Sequence, residues 1–285
     1  MKRILLLLAL LVVLETLAGH ATALVGAELK PETLDGYSRY VRATQARIDK
    51  ELGNPGPFLY LDSLPEPRRT QVVTALKRDE IFMERLETRD ALGRAIHAPG
   101  GLIHHWLGTV FIPGATLDQV RAVVQDYDRH QDIYRTEVVR SRLIRREGND
   151  MTIFYRLRKH KIITVTLNTE HQVHYTPVDS KRFYSRSYST RIAEVENAGR
   201  SDEHERPVGH DGGFLWRADS WWRYEQRDGG VYMESEWVSL TRDVPTGLGW
   251  LINPFISSVP KESLFNTLDS TRAAVLARAS GASGS

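Results

Sequence analysis

The 285-residue sequence predicts an α+β domain in which a curved antiparallel β-sheet wraps around a long C-terminal helix, with an N-terminal helical extension before it. Three observations carry that expectation. A strand-like GGLIHHWLGTVFIP at residue 100 runs straight into a helical ATLDQVRAVV. Alternating segments separated by turn-forming residues follow as far as Leu240. A helically spaced apolar stretch then closes the chain. A sheet curved around a helix leaves space on its concave side, and a space of that kind takes an apolar molecule.

Residues 1–23 read as a secretory signal peptide. Met1-Lys2-Arg3 is a basic head, Ile4 to Leu14 an apolar core, and Ala21-Thr22-Ala23 a small-residue cleavage site. The apolar run is shorter than the ~20 residues a membrane span needs. A periplasmic or secreted location is therefore expected, with retention of the segment as an anchor as the alternative. The chain has no cysteine, which rules out disulfides, thiol catalysis and Cys-ligated metals. Setting Lys2, Arg3 and Glu15 aside leaves 36 cations against 35 anions. A balance this close offers no concentrated positive field, so nucleic acid is not an expected partner. Arg140 to Arg146 and Arg156 to Lys161 are locally basic, but they alternate with Leu143, Ile144, Leu157 and Ile162. That pattern is the outer face of a hairpin, or a transient contact with an anionic membrane.

Residues 24–100 form the extension. Leu34, Tyr37, Val41 and Ile48 recur at helical spacing between Pro31 and Leu52, and Gly53-Asn54-Pro55-Gly56-Pro57 stops the helix. A second helix is expected from Pro65 to Leu86, buried through Val72, Val73, Leu76, Ile81 and Phe82; alternatively Glu84 to Thr88 begins a strand that joins the main sheet. The main domain spans 101–279. Its first strand covers about Leu102 to Ile112, and Thr116 is placed to cap a helix through Val124, with Asp118 in the first turn. A short helix from Tyr127 to Tyr134 comes next. Strands are expected at about Glu137–Arg145, Met151–Lys159, Ile163–Tyr175, Phe183–Glu194, Gly213–Tyr224 and Val231–Leu240. Glu147 to Asp150 and Asp228-Gly229-Gly230 have hairpin-turn composition.

Residues 196–212 make a long polar connection. It contains His204, His210 and Asp211, which lack the tight spacing of metal ligands; no metal is expected there. The stretch VPTGLGWLINPFISSVP is apolar but broken by Pro and Gly, and reads as a mobile loop. The terminal helix is then expected to start at Pro260, with Leu264, Leu268, Thr271 and Val275 on one face beside Phe265 and Leu276. Residues 280–285 form a small-residue tail, expected to be disordered.

Strand alternation sorts side chains into two faces. Phe214, Trp216, Ala218, Ser220, Trp222 and Tyr224 share one face and are expected to look inward, as are Ile153, Tyr155 and Leu157. Arg186 and Glu236, if both inward, would pair, since an unpaired buried charge is costly; such a pair would orient a ligand's polar head, or else be an exposed cross-strand pair worth little. The expected ligand-binding set is Trp106, Tyr155, Arg186, Tyr188, Trp216, Trp222, Glu236, Trp237, Trp250 and Phe255. No nucleotide loop, zinc-protease motif or nucleophile elbow occurs, so no cofactor and no catalytic residue are assigned. An enzyme would have to use His104 or His105 with Glu236 or Arg186 as acid and base.

The block GTVFIPGATLDQVRAVVQDYDRHQDIY, together with WWRYEQRDGGVYMESEWVSLTRDVPTGLGWLINPFISSVPKESLFNTLDSTRAAV, resembles the START-like, polyketide-cyclase and lipid-transport (SRPBCC, helix-grip) superfamily. The resemblance covers about Gly101 to Arg278. It implies a hydrophobic cavity between sheet and terminal helix, entered near Thr246 to Ser258. It also implies a lipid or other hydrophobic small molecule as partner. Members include carriers, cyclases and hydrolases, so a carrier is expected and a cyclase- or hydrolase-like enzyme is the alternative. The signal-like segment favours lipid handling in the envelope.

Overall fold

The computed structural model describes residues 26–53, 56–161, 163–244 and 249–282. The expected signal segment lies outside them. Among the described residues no helix is long and apolar enough to cross a membrane.

The extension supplies helix α1 (Pro31–Gly53), a 3-10 turn (Tyr60–Ser63), helix α2 (Arg68–Leu76) and strand β1 (Phe82–Arg85). The main domain follows with β2 (Gly101–Pro113), α3 (Leu117–Val124), α4 (His130–Ile133), β3 (Val138–Glu147), β4 (Asp150–His160), β5 (Thr164–Asp179), β6 (Arg182–Glu196), β7 (Arg217–Arg227), β8 (Gly230–Arg242) and α5 (Gly249–Ala282). The sheet is antiparallel throughout, in the order β1-β2-β8-β7-β6-β5-β4-β3. The predicted α+β architecture, a curved sheet gripping a C-terminal helix, is present.

Local chemistry explains the framework. Thr116 caps α3 in a reciprocal box: its hydroxyl accepts the Gln119 N–H, and the Gln119 side chain accepts the Thr116 N–H. Asp228 and Gly229 have φ of 55° and 77°, the left-handed pair that matches the twist of a two-residue hairpin between β7 and β8. Leu264, Leu268, Thr271 and Val275 of α5 are buried as the spacing predicts, whereas Phe265 and Leu276 remain exposed on its flank. Helix α5 lies directly on β2 because residue 108 is glycine. A Cβ there would stand 2.5 Å from Leu268 Cδ1 and 2.9 Å from Met83 Sδ.

Several details differ from expectation. Helix α2 ends at Leu76, and Asp79 turns the chain with a φ of 65°, so Phe82–Arg85 becomes an edge strand on β2. Helix α5 begins at Gly249 rather than Pro260 and runs to Ala282, so much of the expected loop and the start of the expected 280–285 tail are helical. Each of Pro254 and Pro260 removes only one intrahelical hydrogen bond, which bends a helix without necessarily ending it. The long 196–212 connection also carries two short pairings, His204–Glu205 with β6 and His210–Asp211 with Ala27–Glu28.

Both faces of the sheet are covered. On the concave face, α3, α5 and inward residues of β2 to β8 form the main core. On the opposite face, Tyr37, Tyr40, Val41 and Ile48 of α1 pack with Trp216, Trp221, Val238 and Leu240. Beside them Phe58, Leu59, Leu61, Leu64 and Leu76 pack on Phe111 and Tyr232. The extension thus buries a sheet face that would otherwise present large aromatic rings to water.

Candidate functional site

A cavity of about 180 Å³ lies between the concave face and helices α3, α4 and α5. Its apolar walls come from Val124, Val138, Ile153, Leu157, Val173, Leu215, Trp222 and Trp237. Five tyrosines (127, 134, 155, 175 and 224) and two histidines (130 and 171) also face it. Helix α5 contributes Ser263, Asn266, Thr267, Ser270 and Thr271, a polar stripe beside its buried leucines. The exposed Thr136 and half-buried Glu137 mark where the cavity reaches the surface.

The hydroxyls form directed pairs. His130 Nε2 is 3.3 Å from the Val123 carbonyl, which can only accept, so that nitrogen carries the hydrogen. Nδ1 is then the acceptor, and Tyr155 donates its hydroxyl to it across 2.7 Å. Burial, slightly opposed by the Val123 hydrogen bond, holds His130 down to about 4, so it is neutral near pH 7. Tyr175 donates to the Val124 carbonyl at 3.3 Å and receives the Tyr127 hydroxyl at 2.6 Å. Thr271 donates to the Thr267 carbonyl and receives the Tyr134 hydroxyl at 3.0 Å. Burial pushes Tyr127, Tyr155, Tyr175 and Tyr224 well above the ordinary phenol value, and His171 down to about 4. Tyr155 and His171 nevertheless keep open surface, because the cavity itself is what they face.

Of the sequence-predicted set, Tyr155, Trp222 and Trp237 line the cavity. Trp106 lies opposite Trp237 on the same face, but outside the cavity and under the Lys261 ammonium, 5.4 Å from the ring. The expected inward positions of Trp216, Arg186, Tyr188 and Glu236 are corrected. Strand β7 begins at Arg217, so the alternation that orders Ala218, Ser220, Trp222 and Tyr224 does not extend back to Trp216. Trp216 packs against the extension and donates its indole N–H to Asp211. Leu215 faces the cavity instead. Arg186 and Glu236 both stand on the α1 side, flanking Trp221 in register, yet they do not pair. Arg186 takes Asp219 at 3.2 Å and stacks over Trp221, while Glu236 takes Arg47 and His105. Tyr188 is on the same side and 43 % exposed. The side chains of Trp250 and Phe255 lie outside the described residues.

Neither acid–base histidine considered from the sequence reaches the cavity. His104 bonds Thr241, and burial holds it down to about 4. His105 turns to Tyr40 and Glu236 beneath α1. His204 is exposed beside Glu196, and Asp211 accepts the Gly213 N–H and the Trp216 indole. Sequence reasoning missed His130, Tyr127 and Tyr134, although their i, i+3, i+7 spacing is the signature of one helical stripe.

No family model matches the sequence, and no curated protein matches it. Solved structures do show similarity. TTHA0849 from Thermus thermophilus aligns at a TM-score of 0.42 and 11 % identity, over 62 % of this chain and 98 % of that one. A STAR-related lipid transfer protein fragment from Xanthomonas axonopodis aligns at 0.41 and 17 % identity, over 67 % and 98 %. The Zhui aromatase/cyclase from Streptomyces sp. R1128 aligns at 0.41 and 12 % identity, over 62 % and 96 %.

Proposed function

We propose that this protein is an exported binding or carrier protein for an apolar small molecule held between the sheet and helix α5. The observation that carries the reading is the cavity: enclosed by Trp222, Trp237 and aliphatic side chains, yet provided with a limited set of oriented hydroxyls. Burial of the ligand's apolar surface supplies the affinity, at ~25 cal/mol per Å² before ordering costs. The signal-like residues 1–23 support export to the envelope. At about 180 Å³ the enclosed space is below the roughly 300–1,000 Å³ of drug-sized pockets. It fits a one-ring molecule, or one end of a longer molecule reaching out past Glu137.

Native mass spectrometry of gently extracted protein tests this, followed by titration with one-ring apolar compounds. A co-purifying or added apolar ligand, with Trp222→Ala weakening its binding, is the expected result. Protein that carries no ligand and binds none across the series overturns the proposal.

A further inference from the structure

The outer face of the β3–β4 hairpin carries more positive charge than the fold uses. Leu143, Ile153, Tyr155 and Leu157 turn to the core or the cavity, so the alternating Arg140, Arg142, Arg156 and Arg158 point away from it. Arg140 and Arg156 are direct partners in register, a like-charge pairing that weakens a ribbon. Arg156 is neutralised by Glu203, which it holds at 2.8 and 2.7 Å. Arg142 lies over the Phe154 ring at 5.8 Å. Among the described residues Arg140, Arg142 and Arg158 have no ion-pair partner, and all three are exposed. Glu170, across from Phe154 on β5, has Arg191 on its other side.

Two ordinary reasons for such charges do not account for these. Edge strands often carry cations that keep other strands from pairing with them. Here the free edge of β3 is already closed by side chains: the Ser141 N–H donates to Gln131 Oε1 at 3.0 Å and the Leu143 N–H to Asp128 Oδ1 at 2.9 Å. Nor do the arginines dock another layer, since the apolar clusters of the extension take no residue from β3 or β4. The face also flanks the cavity opening. Glu137 and Val138 line that cavity just before Arg140, and the Arg158 N–H donates to the Glu137 carbonyl at 2.8 Å. Val139 and Ile144 are exposed on the same strand.

We infer that the outer face of the β3–β4 hairpin docks on an anionic lipid bilayer, with Arg140, Arg142 and Arg158 on headgroup phosphates and the cavity opening brought beside the surface. A guanidinium grips a phosphate through parallel N–H bonds, and an open strand face suits a surface of many phosphates better than one enclosed anion. Exposed aliphatic side chains beside the arginines suit an interface with an apolar interior beneath it. The choice of a bilayer among polyanions rests on the export reading; the surface itself rests on the arginines. Each cation near an anionic membrane strengthens binding about fivefold, so the three together give about a hundredfold.

The test is co-sedimentation of the full chain with phosphatidylcholine vesicles, with and without phosphatidylglycerol. Residues 1–23 are common to every protein compared, so the differences between variants are what is read. The native chain is expected to bind phosphatidylglycerol vesicles more tightly, and to lose that excess as salt rises. The combined variant R140Q/R142Q/R158Q should lose about a hundredfold in affinity for them, with binding to phosphatidylcholine alone unchanged. The combined variant R39Q/R42Q/K50Q, on the exposed face of α1, should keep the native affinity. An equal loss in both variants overturns the proposal, because net charge rather than this face would then be binding. Native affinity in R140Q/R142Q/R158Q, with self-association as its only defect, also overturns it and leaves the arginines as guards of the edge. Binding of duplex DNA or heparin through the same arginines, with no preference for anionic vesicles, assigns the face to another polyanion and overturns it as well. Thermal melts of all three proteins confirm folding. Ligand binding by the cavity is measured without vesicles, and vesicle binding does not depend on where a cell keeps the chain, so failure here and failure of the exported-carrier reading are told apart.

Discussion

His105 Nε2 stands 2.7 Å from Glu236 Oε1, with both side chains buried under helix α1. Arg47 of α1 reaches the same carboxylate, and Glu51 one turn later reaches the buried Arg223 at 2.5 Å. Glu234 lies two residues from Glu236 on the same face. It accepts the N–H groups of Tyr60 and Leu61 and the Thr109 hydroxyl, while burial raises its pKa. The extension is therefore docked by charge pairs set within an aromatic interface.

Burial alone would raise the Glu236 carboxyl, but the His105 hydrogen bond and the positive groups around it hold it below its ordinary 4.5. Its contribution to stability is thus full above the unfolded value and is lost as pH falls through the lower folded value. Glu236→Gln should cost about 2 kcal/mol near neutral pH and flatten the acid limb. Urea unfolding followed from about pH 7 to about pH 3 measures both. An unchanged acid limb in the variant would remove Glu236 from this role.

His130 gives a second pH signature in a different window. Its folded value of about 4 lies below the ordinary 6.5, so the unfolded state takes the proton first. Stability should fall as pH drops from 6.5 towards 4, by about 3 kcal/mol in full, and then level off for this residue. Histidine proton NMR should place the His130 midpoint near 4. His130→Asn should abolish that part of the decline.

Gly108→Ala tests the seating of α5. The added methyl must displace Leu268, Leu264 and Met83, so a loss of about 1–3 kcal/mol is expected in denaturant unfolding. A neutral result would mean that the helix shifts freely along β2.

Trp216 and Trp222 separate the two faces. Trp216→Phe should lower stability by about 1–2 kcal/mol through its lost bond to Asp211, with affinity for an apolar probe unchanged. Trp222→Ala should weaken that probe severalfold with a smaller stability cost than a fully buried tryptophan would show. Reversed sensitivities would place the ligand under α1.

Thr116→Ala should cost about 1 kcal/mol by opening the capping box of α3, and Thr116→Ser should recover most of it. Thermal melts of the three proteins give the comparison directly.

Much of the fold is legible from local chemistry. The cap at Thr116, the turn at Asp228-Gly229, the buried stripe Leu264–Val275 and the inward set from Ala218 to Tyr224 each depend on residues near in sequence. Tyr155, Trp222 and Trp237 follow from the same two-residue alternation. Carrying that alternation one residue past the strand's start misplaces Trp216. Arg186 and Glu236 share a face as pairing would require, but closer partners from β7 and α1 take each of them. No local pattern announces that Arg47, on a helix 189 residues earlier, ends at Glu236. His130 escapes the sequence because its i, i+3, i+7 stripe with Tyr127 and Tyr134 falls across two short helical turns, Tyr127–Arg129 and His130–Ile133, and spacing alone does not say which way so short a stripe faces.

The two-sided covering of the sheet separates two demands that usually compete. A ligand face with an opening forgoes dense packing, and the strands that carry it would be weakened for that reason. Here the same strands are anchored from behind by Tyr37, Trp216, Trp221 and the Arg47–Glu236 pair. Substitutions around Tyr155 or Trp222 can reshape the cavity while the reverse side keeps the sheet folded. Reshaping the cavity side of this sheet need not put the protein's stability at stake.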